Sequence, residues 1–305
     1  MKKILLGTLA LVVLLGAGFA IYMNDSLKQM TVTQVTPDLH MISSEWGGNV
    51  AVLKTGAGTV IVDTLLLQMH GEIIREKAQE LTGEPVTMII NSHYHLDHTH
   101  GNPAFEPDTR VLSSERTLHH LQQLDASTFS GEAAALLPNE TFSAEDELVI
   151  GNKTIRVFLP GRGHTDGDMA VLFVEDRTLH TGDLFFNKHY PNIDLEAGGS
   201  VQDWSATLDN LFVLPFDQVM PGHGALATAE DMRQFQAFIA QLAEVGSYAA
   251  SIDGSLEDTL VNGRLTEDAG YIPMEFGPIM ALNREFVMTR TWEEATGNFQ
   301  LYDGY

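Results

Sequence analysis

The chain has 305 residues, of which 44% are apolar and 19% charged, enough for one large domain or two small ones. Its 41 acidic and 17 basic residues give a formal net charge of -24, and such an acidic surface repels the phosphate backbone of nucleic acids. The sequence contains no cysteine, which excludes a disulfide framework, thiolate metal ligands and a lipidated N-terminal cysteine.

The first 23 residues have the pattern of a targeting segment. Lys2 and Lys3 precede an uncharged stretch at 4–23, and about 20 apolar residues suffice to span a bilayer. The segment 1–23 is therefore predicted to be an uncleaved membrane anchor or a signal peptide that ends at Gly18-Phe19-Ala20. In both cases the lysines stay inside and the rest is exported. For a bacterial protein this means the periplasm or the outer face of the inner membrane.

Residues 24–36 are polar and are predicted to be a tether to a domain at 37–249. Its first half should contain five strands and two helices. We predict strands at 39–43, 49–53, 59–62, 86–90 and 110–112, and helices at 69–81 and 114–124. The segment 127–138 lacks periodicity and is expected to be a surface excursion.

The second half of the domain repeats the order of strands followed by helices. We predict a hairpin of 147–150 and 154–159 across Gly151-Asn152, strands at 169–174, 178–181 and 218–220, and helices at 200–214 and 230–248. Two batches of strands, each followed by helices, predict an α/β fold of two facing sheets with helices outside. Residues 250–305 are expected to form a helical extension that packs against the domain.

The densest group of candidate ligands follows the strand at 86–90. It comprises His93, His95, Asp97 and His98. In an extended chain the two histidines two residues apart point to the same side, whereas adjacent residues cannot. The pattern predicts two metal ions, one bound by His93 and His95 and one by Asp97 and His98. Imidazole and carboxylate ligands suit zinc, and also iron or manganese.

Three later segments end predicted strands with further metal-capable residues. His164 lies in a glycine-rich loop, Asp183 follows the strand at 178–181, and His223 lies in the turn Pro221-Gly222-His223-Gly224. Glycine allows the backbone to approach closely. Because all three follow strands, we expect them near the first cluster.

In this order the motifs resemble those of the metallo-β-lactamase superfamily over roughly residues 35–228. The resemblance implies an αββα sandwich with a dinuclear site at one edge. It also implies that the first metal is bound by His93, His95 and His164, the second by Asp97, His98 and His223, and both by Asp183. Asp63 matches a further family position, and Asp63 and Thr165 are expected to support the ligands without binding metal.

The resemblance further implies a hydrolase in which a metal-bridging hydroxide attacks a polarised carbonyl. Asp97 is the candidate catalytic residue; it either serves only as a ligand or also carries a proton to the leaving group. Two divalent cations with these ligands and a hydroxide leave a charge of about +1. This favours a small-molecule substrate with a carboxylate near the scissile bond.

The substrate class follows from where the sequence departs from the true β-lactamases. Those enzymes have cysteine at the position of Asp183 and a lysine three residues later, where this chain has Phe186; Lys188 is displaced. We therefore favour a carboxylic ester, lactone or thioester, with β-lactam hydrolysis as the alternative. His189 and Tyr190 are candidate substrate contacts.

Other classes of protein fit less well. Iron-dependent oxidoreductases of this superfamily usually have glutamate where this chain has His95. Its mononuclear sulfur dioxygenases do not use the complete set of second-metal ligands. A nuclease conflicts with the net charge and with the lack of a basic stretch. A non-catalytic metal-binding module, tethered to a membrane, is the remaining alternative.

Overall fold

The computed structural model of the protein describes residues 25–276 and 280–302. Two sheets pack face to face with helices on their outer surfaces, so the predicted αββα sandwich is confirmed. The predicted targeting segment 1–23 lies outside the described residues. Within the described ranges, no helix combines the length and apolar character needed to cross a membrane.

The first sheet has seven strands, which lie side by side in chain order. They are β1 (Thr31–Gln34), β2 (Leu39–Ser43), β3 (Asn49–Lys54), β4 (Thr59–Val62), β5 (Val86–Ile90), β6 (Arg110–Ser114) and β7 (Glu140–Phe142). The first four are antiparallel and the last three are added in parallel. The connecting helices are α1 (Gln68–Thr82), α2 (Leu96–Thr99) and α3 (Glu115–Leu124).

Two short edge strands were missed in the sequence. Residues 24–36 are not only a tether, because β1 pairs with β2 and places Val32 opposite Ile42. The strand β7 follows the predicted surface excursion and pairs with β6. Edge strands that are partly exposed lack the apolar alternation on which the prediction relied.

The second sheet has five strands in the order β12-β11-β10-β9-β8. They are β8 (Glu145–Ile150), β9 (Lys153–Phe158), β10 (Ala170–Phe173), β11 (Thr178–His180) and β12 (Gln218–Met220). The predicted hairpin across Gly151-Asn152 is confirmed, and Gly151 takes the left-handed φ of 57° that such a turn requires. Helices α4 (Val201–Phe212) and α5 (Ala229–Ser251) cover the outer face.

The central strands are mainly apolar because both of their faces are buried. In β3, Ala51 and Leu53 belong to the core between the sheets, whereas Val50 and Val52 pack in the core beneath α1. In β10, Val171 faces the core between the sheets and Leu172 faces α4 and α5. The period-2 alternation thus divides each strand between two layers.

The C-terminal extension contains a hairpin as well as the expected helices. Its elements are α6 (Leu256–Asn262), β13 (Met274–Phe276), β14 (Met280–Leu282) and α7 (Arg284–Thr296). Helix α7 crosses α5 at Gly246, where a Cβ would lie 2.6 Å from the Thr291 carbonyl oxygen. The extension therefore packs directly on the domain.

Candidate metal centre

The structure brings all seven predicted ligands to one edge of the sandwich, in two adjacent groups. In the first group, His95 Nδ1 lies 3.2 Å from His93 Nε2 and 2.7 Å from His164 Nε2. In the second, Asp97 Oδ2 lies 3.6 Å from His98 Nε2 and 3.3 Å from His223 Nε2. The residues come from the ends of β5, β11 and β12 and from the loop between β9 and β10.

Asp183 lies between the two groups. Its Oδ2 is 3.9 Å from His93 Nε2 and 3.5 Å from His164 Nε2. Its Oδ1 is 3.3 Å from His98 Nε2, and its Oδ2 is also 3.5 Å from His223 Nε2. One carboxylate thus reaches both groups, as expected for a bridging ligand.

The donor atoms fit a pair of cations. Ligand atoms about 2.0–2.2 Å from a tetrahedral ion lie about 3.3–3.6 Å from one another, which matches most of these separations. In the described part of the chain, His98 Nε2 and Asp183 Oδ1 are buried without a hydrogen-bond partner. Since buried polar atoms are normally satisfied, a cation at this place would account for both.

The histidine rings are oriented by partners on their far nitrogens. His95 Nε2 lies 2.9 Å from Asp194 Oδ2, and His164 Nδ1 lies 2.9 Å from the Asn192 carbonyl oxygen. Metal-binding histidines characteristically donate their second N–H to a carboxylate or a carbonyl, which fixes the tautomer and leaves the other nitrogen for the metal. These rings are therefore preset to present a lone pair.

Asp63 contacts residues next to or within both ligand groups. It accepts hydrogen bonds from the backbone N–H of Ser92 at 2.8 Å and from its hydroxyl at 2.7 Å, and it lies 2.8 Å from His98 Nδ1. The Ser92 hydroxyl is in turn 3.1 Å from His93 Nδ1. Asp63 has a φ of 66°, a backbone conformation that most residues avoid, so the chain turns sharply to place this carboxylate.

Thr165 braces the loop that carries His164. Its backbone N–H and its hydroxyl donate to Asp168 at 2.8 and 2.6 Å. Burial raises the pKa of Asp168 to about 7, against these two hydrogen bonds. Thr165 therefore acts on the ligand through the shape of the loop.

Two glycines allow the ligands to pack this closely. A Cβ at Gly48 would lie 2.3 Å from His98 Cε1, and a Cβ at Gly222 would lie 2.0 Å from Asp183 Oδ1. Neither position has room for a side chain. This explains the glycines of the Trp46-Gly47-Gly48 loop and of the Pro-Gly-His-Gly turn.

Burial and carboxylates set the charge states of the rings. Burial lowers the pKa of His93 well below its usual value and that of His164 to about 4, so both rings are neutral at about pH 7. Burial also disfavours the charged form of His223, but Asp183 and Asp97 outweigh it and raise the pKa to about 9. The same two carboxylates that favour a proton on His223 would also favour a metal cation at this position.

The two predicted substrate contacts differ in their surroundings. The Tyr190 hydroxyl donates to Asp268 at 2.8 Å, and the ring packs against Phe238 and Tyr271. Tyr190 thus joins the domain to the extension, and its role as a substrate contact stays a prediction. His189 lines a cleft of about 1080 Å³ that also reaches His223.

The site contains features that sequence reasoning missed. Asp194, the partner of His95, follows Asp183 in an irregular loop, and its only signal was a carboxylate near the ligands. A cavity of about 1130 Å³ opens above the cluster and is lined by His95, Asp97, Asp183 and His223. The C-terminal extension supplies part of its wall, which no motif had indicated.

The fold and the two ligand groups together define an αββα sandwich with a candidate site for two metal ions. A model of the metallo-β-lactamase superfamily matches residues 44–223, more than half of the chain. The chain therefore belongs to this superfamily, and the resemblance noted in its motifs is confirmed.

Curated relatives carry several different activities. The chain is 25% identical over 178 residues to a metallo-β-lactamase type 2 of Bacillus sp. (strain 170), covering 58% of this chain and 66% of the relative. It is 26% identical over 259 residues to the 2,4-dinitroanisole O-demethylase subunit alpha of Nocardioides sp., covering 82% and 76%. It is 29% identical over 157 residues to a hydroxyacylglutathione hydrolase of Rhodospirillum rubrum, covering 50% and 53%. The chain thus spans only part of each relative.

Solved structures show the same fold. A metallo-β-lactamase from Pontibacter korlensis superposes with a TM-score of 0.61 at 20% identity, over 70% of this chain and 99% of the other. The enzyme from Pseudomonas aeruginosa, in its mono-zinc form, gives 0.57 at 18% identity, over 70% and 95%. At these identities the likeness concerns the fold alone.

Proposed function

We propose that the protein hydrolyses a carboxylic ester, lactone or thioester at a dinuclear zinc site. The observation that carries this proposal is the position of Asp183, whose carboxylate reaches both ligand groups at 3.3–3.9 Å. The complete nitrogen and oxygen ligand set favours zinc over iron, because an iron oxidoreductase of this fold usually has glutamate in place of His95. Zinc binds imidazole and carboxylate in such sites.

The cations would supply a hydroxide at about neutral pH and polarise the carbonyl oxygen. Among the carboxylates of the cluster, Asp97 is the one positioned to move a proton. Its side chain is 18% exposed and faces the cavity, whereas the side chain of Asp183 is 4% exposed. Asp97 would take the proton that the attacking water loses; as the new C–O bond forms and the bond to the leaving oxygen or sulfur breaks, Asp97 would pass this proton to the leaving atom.

The surroundings of Asp183 support an ester, lactone or thioester over a β-lactam. Phe186 stacks on His223 at a ring separation of 5.1 Å and 8° between planes. The nearby Lys188 donates to Gln234 at 2.8 Å. Phe186 therefore stands where the true β-lactamases have the lysine that binds the β-lactam carboxylate, and Lys188 donates to Gln234 instead. β-Lactam hydrolysis is the second candidate, favoured by the similarity to a relative named metallo-β-lactamase.

We also propose that the protein is exported and is either anchored by residues 1–23 or released after their cleavage. Lys2 and Lys3 followed by the apolar stretch support this. The test is to express the full chain and to locate it after lysis. An anchored chain sediments with membranes and resists alkaline washing, and a processed chain is found outside the cytoplasm. Recovery of the full-length chain in the soluble cytoplasm would contradict export.

The hydrolase proposal is tested by a panel of chromogenic substrates together with metal analysis. Purified protein should contain up to two zinc ions per chain and should hydrolyse an ester, a lactone or a thioester faster than a cephalosporin. A chelator should abolish turnover, and added zinc should restore it. Iron in place of zinc would contradict the metal assignment. Lack of turnover of every member by the zinc-loaded protein would contradict the hydrolase.

A further inference from the structure

The cavity above the ligand cluster has two walls of different origin. The domain contributes Trp46, Leu66, Leu96, Leu124, Phe186 and Ile193, and the extension contributes Met274, Met280, Leu282 and Phe286. Its volume of about 1130 Å³ exceeds that of most small-ligand pockets, which lie at about 300–1,000 Å³. The space above the scissile bond is therefore large and mainly apolar.

Several of these apolar side chains are left exposed to solvent. Leu96 is 47% exposed, Leu124 41% and Met280 39%. They come from α2, the end of α3 and β14, which are far apart in the chain and meet at this cavity. A concentration of exposed apolar groups around a concave site is typical of a surface that binds an apolar ligand.

The charges of the lining argue against a substrate carboxylate. Among the described residues of the lining, Arg290 is the single lysine or arginine. Its Nε donates to the Ile193 carbonyl oxygen at 3.0 Å, and its terminal nitrogens pair with Glu196 and Glu293. The guanidinium is thus committed to groups of the protein. Acidic residues, such as Glu45 and Glu275, complete the polar part of the wall.

The arrangement also indicates which part of the substrate enters the cavity. The leaving atom must lie beside Asp97, from which it receives its proton, and Asp97 Oδ2 is 3.3 Å from His223 Nε2. His223 lines the neighbouring cleft as well, which contains Lys28 and Lys77. A leaving group beside Asp97 can therefore pass along His223 into this cleft, which contains two lysines, and the apolar cavity is left for the acyl side.

We propose that the enzyme acts on uncharged esters, lactones or thioesters with an extended apolar acyl chain, which the C-terminal extension helps to select. This rests on the proposed hydrolase function. It replaces the carboxylate-bearing substrate expected from the charge of the metal site, since the walls of the cavity bind most of the substrate. The extension is thus a specificity element as well as a packing element.

The test compares p-nitrophenyl acetate, octanoate and succinate with zinc-loaded protein. These esters share a leaving group and differ in the length and charge of the acyl part. A buried CH₂ group is worth about fourfold in binding, so the octanoyl ester should exceed the acetyl and succinyl esters in kcat/KM by at least about tenfold. Equal rates, or a preference for the succinyl ester, would overturn the proposal.

The variant Met280→Lys adds a cation to the apolar wall. It should lower the octanoyl-to-succinyl ratio of kcat/KM by at least about fivefold, because it disfavours the chain and attracts the carboxylate. Val261→Lys is the matched control. It makes the same change in charge in the same extension, at a side chain that is 75% exposed on α6. An unchanged ratio in Met280→Lys would contradict the assignment of this wall.

Calorimetric binding of 2-octanone and 2-butanone separates this proposal from the hydrolase proposal. Neither ketone is hydrolysed, and only the longer one should bind measurably to the wild-type protein and to Val261→Lys, and more weakly to Met280→Lys. Binding of 2-octanone without turnover of any ester would leave the apolar cavity in place and reject the hydrolase. If esters are turned over with no preference for the longer chain, and 2-octanone does not bind, the cavity is not the binding site of an acyl chain.

Discussion

The ligand cluster and the wall of the cavity above it are built in different ways. The seven predicted ligands lie at positions 93–223 and follow strands of both sheets; five of them are buried, and hydrogen bonds on the far nitrogens orient several of the rings. The wall is completed by Met280, Phe286 and their neighbours in the extension, which contact the cavity through apolar and partly exposed side chains. In the function proposed above, the chemistry would thus depend on the domain alone, and the selection of substrate would depend on the domain and the extension together.

This division has a physical basis. Bound cations require atoms placed to within a few tenths of an ångström, which only a rigid and hydrogen-bonded scaffold provides. Apolar binding is non-directional and depends mainly on the area removed from water. The ligand edge should therefore tolerate almost no substitution. The wall can change its residues and alter the substrate while the metal site stays intact.

The strongest test of the ligand edge is His93→Ala. We expect loss of most metal from the first group and a fall in ester hydrolysis of at least about 1,000-fold, because polarisation by a metal is worth several kcal/mol. The metal content per chain and kcat are measured on the same sample. His119→Ala, on α3, removes an imidazole outside both ligand groups and should keep both values. Full metal content in His93→Ala would show that the ligand assignment is wrong.

A smaller effect is expected from Asp63→Asn. Asparagine tolerates the left-handed φ of 66°, so the turn should survive. The amide oxygen can still accept a hydrogen bond from Ser92. The group that faces His98 Nδ1 is then either the NH₂ group, which cannot accept its proton, or the amide oxygen, which is a weaker acceptor than a carboxylate. The affinity for metal should fall by about 10–100-fold.

Competition with a chelator measures this loss of affinity. Asp217→Asn is the matched control, because it makes the same chemical change in an exposed pair with Arg177. If Asp63→Asn and the control retained metal equally well, the support of His98 by Asp63 would contribute little to metal binding.

The two regions were also unequally predictable from the sequence. The sheets could be predicted because strands buried on both faces are mainly apolar, as in β3 and β10. Four of the ligands could be predicted because His93, His95, Asp97 and His98 are close in sequence, and such spacing has few other uses; the other three were assigned from the resemblance of their motifs. The loop that carries Asp194, the partner of His95, could not be predicted, because it has no hydrophobic periodicity, no motif and no regular secondary structure.

The wall of the cavity was hidden for a related reason. Leu96, Leu124 and Met280 are single apolar residues in otherwise ordinary segments, and their proximity is a property of the tertiary structure. The hydrogen-bond partner of Tyr190 could not be predicted either, because a residue close to Asp183 in the chain can point away from it. Its hydroxyl faces Asp268 of the extension instead.

The smallest effect should come from Tyr190→Phe, which affects the contact between the domain and the C-terminal extension. The substitution removes the hydrogen bond to Asp268, while Arg284 still pairs with that carboxylate at 2.9 Å. The ring and its packing against Phe238 are retained. We expect the free energy of unfolding to fall by about 1 kcal/mol, and metal content and the hydrolysis of the acetyl ester to stay as in the wild type.

Chemical denaturation and the kinetics of acetyl ester hydrolysis by Tyr190→Phe distinguish a structural role from a role in substrate binding. If Tyr190 only joins the extension to the domain, stability decreases slightly and kcat/KM for the acetyl ester is unaffected. A fall in kcat/KM of about tenfold with unchanged stability would instead place the hydroxyl in contact with the substrate, because 1.36 kcal/mol corresponds to a factor of ten in rate. In that case the loop that follows Asp183 would both attach the extension to the domain and bind the substrate.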